Sequence, residues 1–355
     1  VQRTLAESHK QWFIPFAVQL IPAGVLVIGL LFADESPRWM MFNGKREKGL
    51  RILSRLRNLP LDHQYMREEI AQIDQAIEIQ EATIGNGFLA PLRECRRNRS
   101  VQWRLFLGGS LFFWQNGSGI NAINYYSPTV FQSIGVTGTS SSLLSTGIFG
   151  VIKTVMTFVW ILVMIDQLGR RNLLLIGALG GSISMWIVGA YVAIAKPSQH
   201  VGGSSTAGGR AAIAFFYIYT FFYTPSWSGT PWVINSEMFD QNMRSLGQAF
   251  AAANNWLWNF IVARFTPQMF DKMGYGVWFF FAALQILSIP FVYFLIPETK
   301  SVPLEQMDLL FSQNLKPWKA HKEVMRNLRE MEEVNRANAQ AMDSDKSNTT
   351  HLEGV

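Results

Sequence analysis

The stretch FFWQNGSGINAINYYSP, residues 112–128, decides how the rest of the chain is read. It continues the run WRLFLGGSLFF, residues 103–113, which is apolar enough to enter a lipid bilayer, yet it carries Gln115, Asn116, Ser118, Asn121 and Asn124. Hydrocarbon offers no partner to the donors and acceptors of these side chains, and an amide left unpaired there costs roughly 2–7 kcal/mol. Such a segment is tolerated only where neighbouring helices or a polar ligand supply the missing hydrogen bonds.

Working outward, the chain of 355 residues is 16% charged, 49% apolar and 13% aromatic, against roughly 25% charged in ordinary soluble domains. This is the composition of a membrane protein. Mean hydropathy is only mildly positive, because the charge is gathered into residues 33–104 and 298–355. One cysteine, Cys95 in RECRRNR, excludes an intramolecular disulfide, a redox pair and a cysteine zinc cluster. The formal charge of +6 comes without an aromatic-interleaved basic motif, so nucleic acid is not an expected partner, and basic loops beside membrane spans explain the excess more simply.

A spanning helix needs about 20 mostly apolar residues. Seven stretches qualify, near residues 13–32, 105–126, 143–165, 173–194, 211–235, 247–266 and 276–296. The first is long, holds Pro15 and Pro22 and lacks a small-residue cleavage site, so it reads as a span and not a signal peptide. Lys and Arg crowd residues 38–104, the DQLGRRN turn at 166–172 and the C-terminal tail, which puts those segments in the cytoplasm. The loops 127–142 and 195–210 are rich in Ser and Gly and poor in base, as suits the outside, with Arg264 and Lys272 as minor exceptions. An odd number of spans then leaves residue 1 outside and Val355 inside, an awkward topology for a complete protein.

Residues 47–59 and 66–82 have apolar side chains at three- and four-residue spacing, which predicts amphipathic helices at the cytoplasmic surface; a solvated linker is the alternative. The tail from 312 is polar and without apolar anchors, and is expected to be partly helical and then disordered. The sequons at Asn98 and Asn348 fall on the cytoplasmic side and that at Asn116 lies inside a span, so glycosylation is not expected.

Five motifs occur in a telling order: ESPRW at 35–39, QNGSGINAINYY at 115–126, DQLGRR at 166–171, Pro231-Trp232 followed by SEMF and Arg244, and PETK at 297–300. With them the chain resembles the sugar porter family of the major facilitator superfamily along residues 13–311, and IPFAVQLIPAG, NWLWNFIVARFTPQMF and PETKSVPLEQMD resemble its fungal quinate permeases, with fungal hexose transporters further off. The resemblance implies an all-α, polytopic fold: residues 1–32 as an outer segment and the equivalent of the sixth span, 33–104 as a cytoplasmic loop, 105–297 as the C-terminal six-helix half and 298–355 as a cytoplasmic tail. Family members are built as two six-span halves with substrate held between them. The chain is thus expected to lack five helices, among them the one that carries the usual proton-coupling acid, and not to transport alone.

The resemblance also implies roles. Gln115, Asn116 and Asn121 should contact substrate, with Trp232 as an apolar platform and Asn255 from the next helix. Residues at 115, 118, 121 and 124 rotate by about 300° at each step and form a slanting stripe, and the hydroxyls of a polyol could satisfy them as both donors and acceptors. Interhelical hydrogen bonding is the competing explanation, and weighs equally for Asn124 and Asn259. Asn116 stands where the family has a second glutamine and Thr224 where it has an acid, which argues against a plain glucose site. Lys153, an ammonium inside a span, costs about 2.5–3.5 kcal/mol unless paired. It could meet a quinate carboxylate, snorkel, or pair with the absent half, and its neighbour Thr154 occupies the family's usual contact position.

Glu35, Arg38, Asp166, Arg170, Arg171, Glu237, Arg244 and Glu298 all lie at cytoplasmic ends of spans and match a latch of ion pairs that closes the inside; simple positive-inside anchoring explains the arginines but not the acids. No nucleophile motif, metal-ligand cluster or cofactor fingerprint accompanies them, so neither enzyme activity nor a cofactor or metal is expected. The implied function is transport of quinate or a related carboxylated polyol by proton symport across the plasma membrane. The alternatives are a sugar–proton symporter, a transporter-like nutrient sensor and an inactive fragment.

Overall fold

The computed structural model describes residues 10–83, 90–133, 139–196, 207–239, 241–303, 307–311 and 315–330, and every regular element among them is helical. The chain divides into two compact units, residues 1–90 and 91–355.

The first unit opens with α1 (Lys10–Phe32), apolar on nearly every side, and continues with α2 (Pro37–Phe42), α3 (Arg46–Arg57) and α4 (Gln64–Thr83). The amphipathic periods at 47–59 and 66–82 fold as α3 and α4, and they share a core of Met41, Leu53, Met66 and Ile73. Arg57 holds Glu69 through two nitrogens at 2.6 and 3.0 Å, Arg46 pairs with Asp74, and Arg55 reaches Asp34 at 3.0 Å. A linker would leave these faces solvated; here the apolar face is covered and the charged face is cross-linked.

The second unit runs through α5 (Ala90–Arg97), α6 (Arg99–Gly117), α7 (Ile120–Ser133), α8 (Thr139–Val159), a π-helical turn (Trp160–Met164), α9 (Ile165–Leu168) and α10 (Arg170–Ala195). It continues with α11 (Ala207–Tyr223), a second π turn (Thr224–Ser228), α12 (Thr230–Met238), α13 (Gln241–Met273), α14 (Gly276–Leu295) and the short α15 (Met307–Leu310). A final helix, α16, covers residues 317–330. The helix α10 sits centrally against α11 and α14, and α6 lies along α13. Small residues permit the close approach, as expected where lipid leaves van der Waals packing as the main attraction between helices. A Cβ on Gly177 would collide with Ser226 Oγ, and one on Gly181 with Gln285 Oε1.

Two irregularities position the polar residues. Residues 105–126, expected as one span, fold as two helices separated at Ser118 and Gly119. Gly119 has φ 83° and its Cα faces the Phe281 ring, whose Cγ would lie 2.7 Å from any Cβ, so both backbone and space demand glycine. The span expected at 211–235 is interrupted by the π turn, in which Pro225 removes one backbone donor and loosens the ladder. Among the described residues, three helical stretches are long and apolar enough to cross a membrane, 144–168, 170–195 and 276–295, with the shorter apolar helix Phe16–Phe32 beside them.

The tail is less detached than its composition suggests. Trp318 stacks on Tyr293 with ring centroids 6.4 Å apart and packs edge-on to Phe294 at 5.6 Å, while Ala320 and Val324 are buried. These are the apolar anchors the tail was expected to lack; the disorder expected further on falls on residues 331–355, which lie outside the described residues.

Gly119→Ala should destabilise the second unit by about 2 kcal/mol or more, from the left-handed backbone and the overlap with buried Phe281. Thermal unfolding in detergent reads the effect, and an unchanged midpoint would show that the helix break does not need glycine.

Candidate functional site

The break at 118–119 turns the Ser118 carbonyl out of the helical ladder, and two side chains receive it: Tyr219 Oη donates at 3.0 Å from α11 and Gln285 Nε2 at 3.1 Å from α14. One turn earlier, Gln115 is buried and its Nε2 donates to the carbonyls of Trp227 at 2.7 Å and Ser228 at 3.0 Å, at the end of the second π turn. Its Oε1 is buried with no hydrogen-bond partner among the described residues, as is Thr224 Oγ1 at the start of that π turn. Half of the Gln115 carboxamide is therefore satisfied by released backbone and half is not.

The next amide starts a relay across three helices. Asn116, 1% exposed, donates through Nδ2 to Phe112 O at 2.8 Å and to Asn255 Oδ1 of α13 at 3.1 Å, and its Oδ1 accepts from Asn121 Nδ2 of α7. Trp232 meets the Phe112 ring edge-on, centroids 4.5 Å apart. Gln115, Asn116, Asn121, Asn255 and Trp232 are thus linked through α6. Asn124 is exposed on α7, and Asn259 donates to Tyr125 Oη at 3.4 Å. The stripe inferred from three-residue spacing does not survive as one face, because the helix is broken within it.

Lys153 lies on α8 in helical register with Phe149, Met156 and Trp160. That face looks inward. Phe149 and Met156 are buried, Phe149 packs on Phe216 at 5.6 Å, and Trp160 Nε1 donates to Thr230 Oγ1 at 3.2 Å. Lys153 is half-buried and has no acidic partner among the described residues. Thr154 is exposed, with its hydroxyl bonded back to Gly150 O at 3.0 Å.

At the other end of the bundle a polar cluster joins α9, α10, α12 and the PETK segment. Arg170 Nη2 bonds Glu237 Oε1 at 3.0 Å and its Nη1 approaches Asp166 at 3.5 Å. Glu298 accepts from the backbone nitrogens of Arg170 at 2.8 Å and Arg171 at 3.1 Å, so its carboxylate caps α10 and complements the positive end of that helix. The approach is close enough that Gly169, at φ 83°, has no room for a side chain. Arg171 donates to Tyr293 O at 2.8 Å and lies over the Tyr293 ring at 4.8 Å. Thr299 Oγ1 donates to Glu237 Oε2 at 2.6 Å. Arg244 makes no ion pair among the described residues, and Glu35 and Arg38 belong to the first unit.

Several participants were not singled out from the sequence. Gln285 sits in the apolar run LQILSIP and carries the same signal as Gln115, a carboxamide inside a span. Arg104, buried and donating to Met238 O at 3.2 Å, is likewise a polar group in an apolar run. Tyr219 and Tyr293 carry no such signal, since nothing in their local sequence distinguishes them, whereas Thr299 stands inside the PETK motif.

Long apolar helices enclosing satisfied and half-satisfied polar groups mark a helical membrane protein, and the family and structural likenesses that follow give it the major facilitator fold. The chain belongs to the family described as "Sugar (and other) transporter", whose sequence profile matches residues 2–311. It is 61% identical to a probable quinate permease of Aspergillus clavatus, over 100% of this chain and 66% of that protein. It is 64% identical to a quinate permease of Emericella nidulans, over 95% of this chain and 63% of that protein. Among solved structures it is similar to the major facilitator proton:xylose symporter XylE bound to 6-bromo-6-deoxy-D-glucose, with TM-score 0.69 and 28% identity over 87% of this chain and 62% of that one. The inward-open form of the xylose transporter XylE from E. coli matches with TM-score 0.58 and 25% identity, over 88% of this chain and 60% of that one. The chain spans just under two thirds of the length of these relatives. They are permeases and transporters, which supports a non-enzymatic reading.

Burial pushes the Glu237 carboxyl above its ordinary value, and the Thr299 hydroxyl and Arg170 guanidinium pull against it without restoring it. A raised folded-state value means that the folded chain binds more protons than the unfolded chain just above pH 4.5, so this group makes stability fall as pH rises through that window. Glu237→Gln should flatten that part of the curve of melting temperature against pH. An unaltered curve would show that Glu237 is not the group responsible.

Proposed function

We propose that the chain is the substrate-selecting portion of a carrier for quinate or a related carboxylated polyol, which in the whole protein works by alternating access coupled to protons. The observation that carries this reading is Gln115 Oε1, a buried acceptor that makes no hydrogen bond among the described residues, set beside the Asn121, Asn116 and Asn255 relay. A hydroxyl can donate to that oxygen while accepting from a neighbouring amide, so a polyhydroxylated ring suits the site better than an apolar or purely anionic ligand. Trp232 offers an apolar face to such a ring. Lys153, on the inward face of α8 and without an acid beside it among the described residues, supplies the charge that a neutral sugar would not need.

The relatives named quinate permease and the neighbour named proton:xylose symporter support the substrate class and the coupling ion respectively. In this reading α1 and the six spans after residue 104 cross the plasma membrane, residues 33–104 and the tail are cytoplasmic, and the Arg170, Glu237 and Glu298 cluster holds the inner ends of the helices together while the site faces outward. Breaking a latch of this kind requires only a few kcal/mol, which substrate and proton binding can supply by favouring one state. A sugar–proton symporter is the second reading, favoured by the family description and the sugar-bound neighbour.

Uptake of labelled quinate by transporter-null cells expressing the full-length protein tests the proposal. Quinate uptake should resist excess glucose, fall at least about tenfold in Gln115→Ala, and be lost in Lys153→Met while any uptake of a neutral polyol persists. Glucose uptake that quinate cannot displace would establish the second reading, and equal losses of charged and neutral substrates in Lys153→Met would remove the carboxylate role.

A further inference from the structure

An open cavity of about 490 Å³ lies away from the carboxamide site, between the first turns of α6 and the last turn of α14, and is bordered by Phe311, Leu315 and Pro317. Its α6 wall consists of Arg99, Gln102, Trp103 and Phe106, spaced so that all four share one helix face. The chemistry changes along that face. The guanidinium and carboxamide come first, and roughly 10 Å further along the axis the wall has become the Phe106 ring, opposite Phe294. Trp103 stacks on Phe106 with centroids 5.5 Å apart, and Phe106 and Phe294 are both exposed.

From this geometry we infer that the cavity is a binding site for an anionic phospholipid, its phosphate at Arg99 and Gln102 and an acyl chain along Trp103, Phe106 and Phe294. Three observations favour that occupant. The polar-to-apolar gradient runs over the distance in which a lipid passes from headgroup to hydrocarbon. Among the described residues Arg99 is the sole charged group in the lining, which suits one phosphate; a soluble polyanion such as a nucleotide would find too few cations there and a large apolar wall it cannot use. The surroundings are basic: Arg93, Arg96 and Arg97 on α5, Lys316 just before α16 and Lys319 in its first turn are exposed, and such clusters at a membrane edge attract anionic leaflets. The walls include the PETK proline and the start of the tail helix, so an occupied cavity would brace the Glu298 cap from outside.

Native mass spectrometry of the full chain in detergent tests this, with phosphatidylserine, phosphatidylcholine of matched acyl chains, and glycerol 3-phosphate as probes. Phosphatidylserine should be retained in preference to phosphatidylcholine. Arg99→Gln should cut that preference about fivefold and Arg99→Lys should preserve most of it. Arg93→Gln, on the neighbouring basic surface but outside the cavity, should change it far less. The inference is overturned if the two lipids bind equally, if Arg93→Gln acts as strongly as Arg99→Gln, which would indicate general surface charge, or if glycerol 3-phosphate displaces phosphatidylserine, which would indicate a soluble phosphate ligand.

Discussion

The structure depends on one constraint: in a bundle surrounded by hydrocarbon, every backbone group released by a helix break must find a partner within the protein. Two breaks occur near the middle of the second unit, and each is answered by side chains of the other's surroundings. The carbonyl freed at Ser118 is taken by Tyr219 and Gln285, and the carbonyls at Trp227 and Ser228 are taken by Gln115. The breaks hold each other in place, so α6, α11, α12 and α14 meet at a fixed register around them.

The same arrangement leaves one acceptor over. A carboxamide that spends its two N–H donors on backbone has its oxygen left over, and burial makes that oxygen a demanding acceptor. The amide relay from Asn121 to Asn255 behaves differently. Its members largely satisfy one another, which stiffens the junction of α6, α7 and α13. The interhelical bonding weighed for these residues is present, and one of them, Gln115, keeps an acceptor that it does not use among the described residues. The π turn contributes by pointing its carbonyls sideways, an ability that an uninterrupted helix does not have.

At the far end, electrostatics replaces packing as the organising influence. Glu298 is held by the backbone nitrogens that open α10, and Glu237 by Arg170 and Thr299, so one acid is stabilised by a helix end while the other remains costly to ionise. A cluster of uneven strength can open at its weaker member without dismantling the stronger. The tail helix adds an aromatic brace through Trp318, and a His321 nitrogen lies 3.1 Å from Glu298 O.

The sequence by itself was enough to establish a helical membrane protein, to pick out Gln115, Asn116 and Asn121 as polar residues that need partners among the helices, and to gather Asp166, Arg170, Glu237 and Glu298 at helix ends. Those readings rest on composition, apolar length and charge asymmetry, which are local properties. Tertiary structure alone decided which partners these residues meet, because the bonds that matter join residues 112 and 167 positions apart, as between Gln115 and Trp227 and between Gln285 and Ser118. It also decided that Glu298 caps α10, that 105–126 is two helices, and that the polar tail is anchored by Trp318, Ala320 and Val324. A glycine or a proline in an apolar run announces that a helix can break; only the neighbours that accept or refuse the released groups determine whether it does.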